Sequence, residues 1–123
     1  MPDASADRKD QRMGTDPAAD VRVVDVPDRS RFEIRVDGEV AGFTEYRLRP
    51  GLIAFVHTLT DPRFEGRGLA SRLVRTALSE ARSQGQSVLP FCPFVRAYIA
   101  GHTEYLDLVP EDLRATFDLP THA

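Results

Sequence analysis

The sequence predicts an α/β domain of the α+β kind, with the element order ββββαβα. Three observations carry this. Four short runs rich in β-branched and aromatic residues, separated by turn chemistry, precede any helical period. The period then changes to that of a helix at Gly68, and a fifth strand-like run, interrupted by Pro90, leads into a second helical stripe.

Residues 1–20, MPDASADRKDQRMGTDPAAD, hold five Asp, three basic residues and almost nothing large and apolar. They offer too little burial to offset the entropy of ordering, and read as a disordered tail ahead of a domain at 21–110. VRVVDV and RFEIRV follow as strands with the turn DRS between them, and Asp37-Gly38 opens a hairpin into VAGFTEYRL. Arg49-Pro50-Gly51 makes the next turn. LIAFVHTLT is the most apolar strand and is expected to be central, because bulky residues fall on both of its faces.

From Gly68 the residues Leu69, Ala70, Leu73, Val74, Ala77, Leu78 and Ala81 share one helical face, with Arg72, Arg75, Glu80 and Arg82 on the other. Gly85 is a natural stop. QSVLPFC reads as the fifth strand, and since Pro90 cannot donate to a ladder it predicts a bulge, an edge or a divergence from the neighbouring strand. PFVRAYIAGHTEYLDLV resumes helical spacing, with Phe94, Val95, Tyr98 and Ile99 as its stripe and Gly101 as a break. Past Val109 the prolines Pro110 and Pro120 and the lack of period give an irregular tail at 111–123.

At 123 residues and 41% hydrophobic, the chain supports one core and not two. A net charge of -3 gives no global attraction to nucleic acid or an anionic membrane, so any bound anion has to be held by local groups. Cys92 is the only cysteine, which excludes an internal disulfide and a multi-cysteine metal site and suits a reducing compartment. No metal-ligand spacing is present among the histidines. No run approaches the roughly 18 apolar residues of a membrane span, and no signal-peptide core is evident, so the expected location is cytoplasmic.

The stretch RFEGRGLA, residues 63–70, places Gly66 and Gly68 between the fourth strand and the first helix. A helix N-terminus leaves backbone N–H groups free to bind an anion, and glycines let a large ligand approach them. With Arg63 and Arg67 beside it, the junction suits a phosphate or diphosphate; turn glycines that merely end a strand give the same pattern. A Walker loop is excluded because no lysine follows Lys9. The Rossmann fingerprint fails as well, since Ser71 stands where its third glycine belongs and four strands come first.

The pattern [RQ]-x-x-G-x-[GA] is met by Arg63, Gly66 and Gly68, with a strand before and a long helix after. Here the chain resembles the GNAT superfamily of acetyl-CoA-dependent N-acetyltransferases, and looks closest to its small single-domain YjdJ-like group. His57-Thr58, FEGRGLASRLV and CPFVRAYIAGHTEY carry the resemblance, which spans roughly 32–109. It implies a mixed, mostly antiparallel sheet whose fourth and fifth strands splay apart to admit the coenzyme. It also implies that the loop amides of Arg63, Glu65, Gly66, Arg67 and Gly68, with Leu69 and Ala70 opening the helix, hold the diphosphate, while Leu59 and Thr60 pair with the pantetheine arm. The implied partners are the coenzyme and an amine, on a small molecule or a protein.

Acyl transfer to an amine needs the amine neutral, a donor for the developing oxyanion and a proton for the departing thiolate. His57 suits a base or proton relay by its ordinary pKa, and equally a buried histidine bonded to a neighbour. The family carries a glutamate after its His-Thr pair where this chain has Leu59; Glu45, on the preceding strand, is the substitute base if it faces the same cleft. Cys92 matches the family's Cys-Pro-Phe cysteine, at a strand-to-helix junction that can activate a thiol, and either carries acetyl or packs beside the thioester. Tyr98 resembles the tyrosine that many members aim at the coenzyme sulfur as general acid, and fits the apolar stripe equally well. With Leu59 in place of the glutamate, a non-catalytic acyl-CoA-binding module is the alternative to an enzyme.

Overall fold

The computed structural model describes residues 20–121; most of the stretch expected to be a disordered tail, 1–19, lies outside the described residues. Four antiparallel strands come first: β1 (Val21–Val26), β2 (Arg31–Val36), β3 (Glu39–Arg49) and β4 (Leu52–Thr60). Asp37 and Gly38 take φ of +51° and +85°, the left-handed pair that a two-residue hairpin turn matching strand twist requires. Helix α1 (Leu69–Ser83) then carries the chain to β5 (Ser87–Pro90), which lies parallel to β4, and α2 (Pro93–Gly101) follows.

The sheet runs in the order β1-β2-β3-β4-β5. It is mixed and mostly antiparallel, as the sequence led us to expect. β4 is not its middle strand, however; β3 is. The apolar run of β4 reflects burial by α1 and α2 rather than a central place. α1 buries Leu69, Leu73, Val74, Ala77, Leu78 and Ala81 against Ile34, Phe55 and Val88 of the sheet and Ile99 of α2, in one continuous core. In α2, Val95, Tyr98 and Ile99 are buried as an i, i+3, i+4 stripe, while Phe94, in the first turn at the margin of that stripe, is exposed; the helix stops at Gly101, and a 3-10 turn, Thr103–Leu108, buries Tyr105, Leu106 and Leu108. Beyond Val109 the chain forms two single 3-10 turns and docks Phe117 and Leu119 in the same core.

Residues directly opposed across antiparallel strands share a face. Phe32, Thr44 and Thr58 therefore lie in one row towards the core, while Glu33, Phe43 and Leu59 lie in the next row on the other face. That second face carries a buried charge. Glu33 is only 3% exposed and is clamped by Arg31 and Arg35 at 2.7 and 2.8 Å. Burial pushes its carboxyl pKa up, but hydrogen bonds and charge from Arg35 and Arg31 outweigh burial and hold it below the ordinary value.

Candidate active site

Two irregularities in β4 shape the site. Glu45 pairs with His57 and the next residue, Tyr46, with Phe55, so Val56 is an extra residue in β4, a bulge. On its other side β4 pairs with β5 only over Leu52–Phe55, ending at Pro90. There the strands part. The Cys92 N–H donates to the Phe55 carbonyl at 2.8 Å, turning the chain into α2, and β4 runs on through Val56–Thr60 with β3 on one edge and, among the described residues, no strand on the other. Pro90 thus sits on an edge strand at a divergence, two of the outcomes its missing N–H predicts.

β4 ends in the glycine loop. Asp61 caps a 3-10 turn, Pro62–Phe64, by accepting from the Arg63 N–H at 2.9 Å, and buried Phe64 anchors it. Gly66 and Gly68 take φ of +84° and +72°, and a Cβ on either would meet no atom within 4 Å. The left-handed backbone, not crowding within the protein, calls for glycine at both positions. The result is a bare approach to α1. Among the described residues, the N–H groups of Gly66 through Ser71 have no acceptor, the first intrahelical bond being Arg72 N–H to the Gly68 carbonyl.

The two loop arginines differ. The Arg63 guanidinium turns back to Asp61 and Glu39, which neutralise it; Arg63 in turn holds the Asp61 carboxyl below its ordinary pKa, chiefly through its side-chain hydrogen bond. Arg67 lies over the Phe64 ring, 5.3 Å from its centroid, with no carboxylate partner among the described residues. Of the two loop arginines, Arg67 is the one whose charge no carboxylate of the described residues neutralises. Glu65 is exposed at the end of the turn, Leu69 points its side chain into the core so that only its amide faces the loop, and Ala70 is half-buried.

His57 and Thr58 are neighbours on opposite faces of β4. His57 is exposed, with its ring edge-on to Phe43 at 6.0 Å, so the reading of a buried, bonded histidine does not hold. Glu45 is its direct cross-strand partner, and so does face the same side. Thr58 points the other way, where its Oγ1 lies 3.2 Å from Cys92 Sγ and 2.9 Å from Thr44 Oγ1. Cys92 is buried at the N-cap of α2. The fold thus joins Cys92 to Thr58 and Thr44, and His57 to Glu45 and Phe43, on two sides of one strand.

Tyr98 belongs to neither group. Its ring stacks on His102 at 3.9 Å and lies 6.0 Å from Tyr105. Burial, then the neighbouring Tyr105, raises its hydroxyl pKa, so the group is protonated at neutral pH and able to donate. Leu59 is 52% exposed and, with Phe43, Val40 and Pro62, lines a cavity of about 400 Å³ beside the end of β4. A larger cavity, about 760 Å³, holds none of these residues; it lies beside the Arg82–Asp107 ion pair. No cluster among the described residues could hold a metal ion, and no helix among them is long and apolar enough to cross a membrane. Thr44 was invisible as a site residue from sequence; only the register of β3 on β4 brings it to Thr58.

Residues 31–108, which contain the parted strand and the glycine loop, match the family model of GCN5-related N-acetyltransferase. The chain belongs to that family. A search among curated proteins returns no match. Among solved structures, the chain is similar to a ribosomal-protein-alanine N-acetyltransferase from Brucella melitensis biovar Abortus 2308, at 23% identity and a TM-score of 0.43, over 65% of this chain and 61% of that one. The family boundaries enclose β2 through the 3-10 turn after α2, and so contain every site residue described above.

Proposed function

We propose that the protein is an acetyl-CoA-dependent N-acetyltransferase of the small YjdJ-like kind, moving acetyl to a primary amine. The observation that carries this is the parting of β4 from β5 beside the free amides of Gly66–Ser71. An arm bearing amides can pair with the open edge of Leu59 and Thr60, while its diphosphate takes the loop N–H groups and Arg67. Acetyl-CoA has both parts at the right ends of one molecule. Its thioester then reaches the bulge at Val56, where Cys92 borders one face and His57 the other.

In this reading the amine approaches on the exposed face, where Glu45 and His57 stand opposed and can take its proton directly or through water. The apolar cavity of Phe43, Leu59 and Val40 seats the body of the acceptor. Tyr98 is the protonated donor on α2 available to the departing thiolate. Leu59 favours a second reading, a non-catalytic acyl-CoA-binding module, because an exposed leucine stands where the family places a carboxylate.

A coenzyme titration by calorimetry followed by an acceptor screen tests both. Acetyl-CoA binding with free thiol released only when an amine is supplied supports the enzyme. Binding without transfer to any amine supports the module, and no binding removes both. Cys92→Ala separates the roles of the sulfur: activity stays near that of the parent protein if Cys92 only lines the site, and is abolished if it carries acetyl.

A further inference from the structure

On the face of the sheet opposite the core, Arg31, Glu45 and His57 stand in one row across β2, β3 and β4, and Glu33, Phe43 and Leu59 stand in the next. The cavity of about 400 Å³ opens at this second row. Phe43 is held in its wall, with the Arg31 guanidinium 4.3 Å over the ring centroid and the His57 ring edge-on at 6.0 Å. Leu59 and Val40, in the same wall, are 52% and 37% exposed; a ligand that takes such side chains out of water gains free energy by it. The charges nearby are matched with one exception. Glu33 bonds Arg31 and Arg35, and Asp61 and Glu39 both bond Arg63. Glu45, half-buried beside Phe43, makes no ion pair among the described residues, because Arg31, its neighbour across the strands, is turned to Glu33.

We infer, resting on the acetyltransferase reading above, that this cavity takes a small primary monoamine with an aryl or similarly apolar body as the acceptor, its ammonium on Glu45 and its body against Phe43, Leu59 and Val40. Leu59 is then the residue that sets specificity. The two rows lie two residues apart along each strand, about 7 Å, so nitrogen and body are joined by a spacer of about two to four carbons at roughly 1.5 Å a bond. A polyamine would bring a second ammonium to an apolar wall, or to carboxylates that Arg63 already holds. An amino acid would bring a carboxylate to arginines that already hold Glu33. Each of these loses water without meeting an unpaired partner. In the transfer the ammonium gives one proton to Glu45, and the freed amine forms the amide bond as the carbon–sulfur bond breaks with its electron pair on sulfur. One of the two remaining amine protons ends on that sulfur.

Binding is measured apart from turnover, by calorimetry on the full chain without coenzyme. The probes are 2-phenylethylamine, ethylamine without the body, 2-phenylethanol without the charge, and spermidine with added charges. 2-Phenylethylamine is expected to bind about tenfold or more tightly than each of the others. Glu45→Gln, which keeps the shape and removes the charge, is expected to weaken it about tenfold, in line with loss of a hydrogen bond to a charged group. Leu59→Asn is expected to weaken it severalfold and to leave ethylamine unchanged; since Leu59 is half exposed, the fold does not depend on it, and a cooperative melt checks this. Equal affinities for 2-phenylethylamine and ethylamine or spermidine, no binding of 2-phenylethylamine, or unchanged affinity in Leu59→Asn overturns the inference. Thiol release from acetyl-CoA with the same amines and a peptide bearing a free α-amine then separates the two readings. Transfer that prefers the peptide or spermidine overturns the inference and leaves the acetyltransferase reading standing. Binding of 2-phenylethylamine with transfer to no amine removes that reading instead, and the cavity keeps its ligand class.

Discussion

Gly68 sits at φ +72° with open space where a side chain would begin, so a substitution there acts through the backbone first and the ligand second. Gly68→Val is expected to lower stability by about 1–2 kcal/mol, the cost of a left-handed residue with a Cβ, and to weaken acetyl-CoA binding because the branched side chain fills the ligand's approach. Urea unfolding and calorimetric titration separate the two effects; unchanged affinity in a folded variant would remove the diphosphate from this loop. Glu33 yields a pH prediction of definite sign. Its carboxyl is held below the ordinary value in the folded protein, so the stability it contributes is complete above the unfolded-state value of roughly 4.3 and is lost as pH falls through the lower native value. Glu33→Gln is expected to be less stable than the parent protein at neutral pH by about 2 kcal/mol, and the difference should close in strong acid. A difference that stays constant from pH 7 to pH 2 in urea melts would show that Glu33 contributes by shape and not by charge. That Gly66 and Gly68 lie in the turn between β4 and α1 was legible from their spacing. That Arg63 is tied to Asp61 and Glu39, leaving Arg67 to face the loop, was not, because Glu39 is brought there by the fold of β3.

Helix α1 was readable almost residue by residue, since a 3.6-residue period is a local property and six of the seven residues on the expected face are buried. Leu73, wholly buried at its centre, carries the corresponding prediction. Leu73→Ala is expected to destabilise the protein by about 2–5 kcal/mol, seen as a lower urea midpoint with an unchanged slope; a loss under 1 kcal/mol would mean that α1 does not cover the sheet as described. α2 was less legible. Its stripe included Phe94, which is exposed, because Val95, Tyr98 and Ile99 form the buried i, i+3, i+4 set and Phe94 lies at its margin in the first turn. Pro90 announced an irregularity in β5 but not which one. Edge position and divergence both depend on which strand lies beside β5, and sequence period says nothing of neighbours.

A single core joins the sheet, both helices and the segment after Val109 through Phe117 and Leu119, so the described residues should unfold as one unit. Far-ultraviolet circular dichroism, reporting helix and sheet, and tyrosine fluorescence, reporting the packing around Tyr46, Tyr98 and Tyr105, are expected to give superimposable urea transitions. Separate midpoints would divide the C-terminal segment from the rest. The sequence by itself determined the order of strands and helices, the hairpin turns, the core face of α1 and the glycine junction. Each of these is set by the conformational preferences and hydrophobic period of residues close together in the chain. Only the tertiary structure decided that β4 is next to the edge, that it bulges at Val56, that His57 and Cys92 stand on opposite sides of it, and that Thr44 reaches Cys92 through Thr58. Those facts rest on register between strands distant in sequence, where a slip of one residue exchanges the two faces, and no local preference fixes that register until the core closes around it.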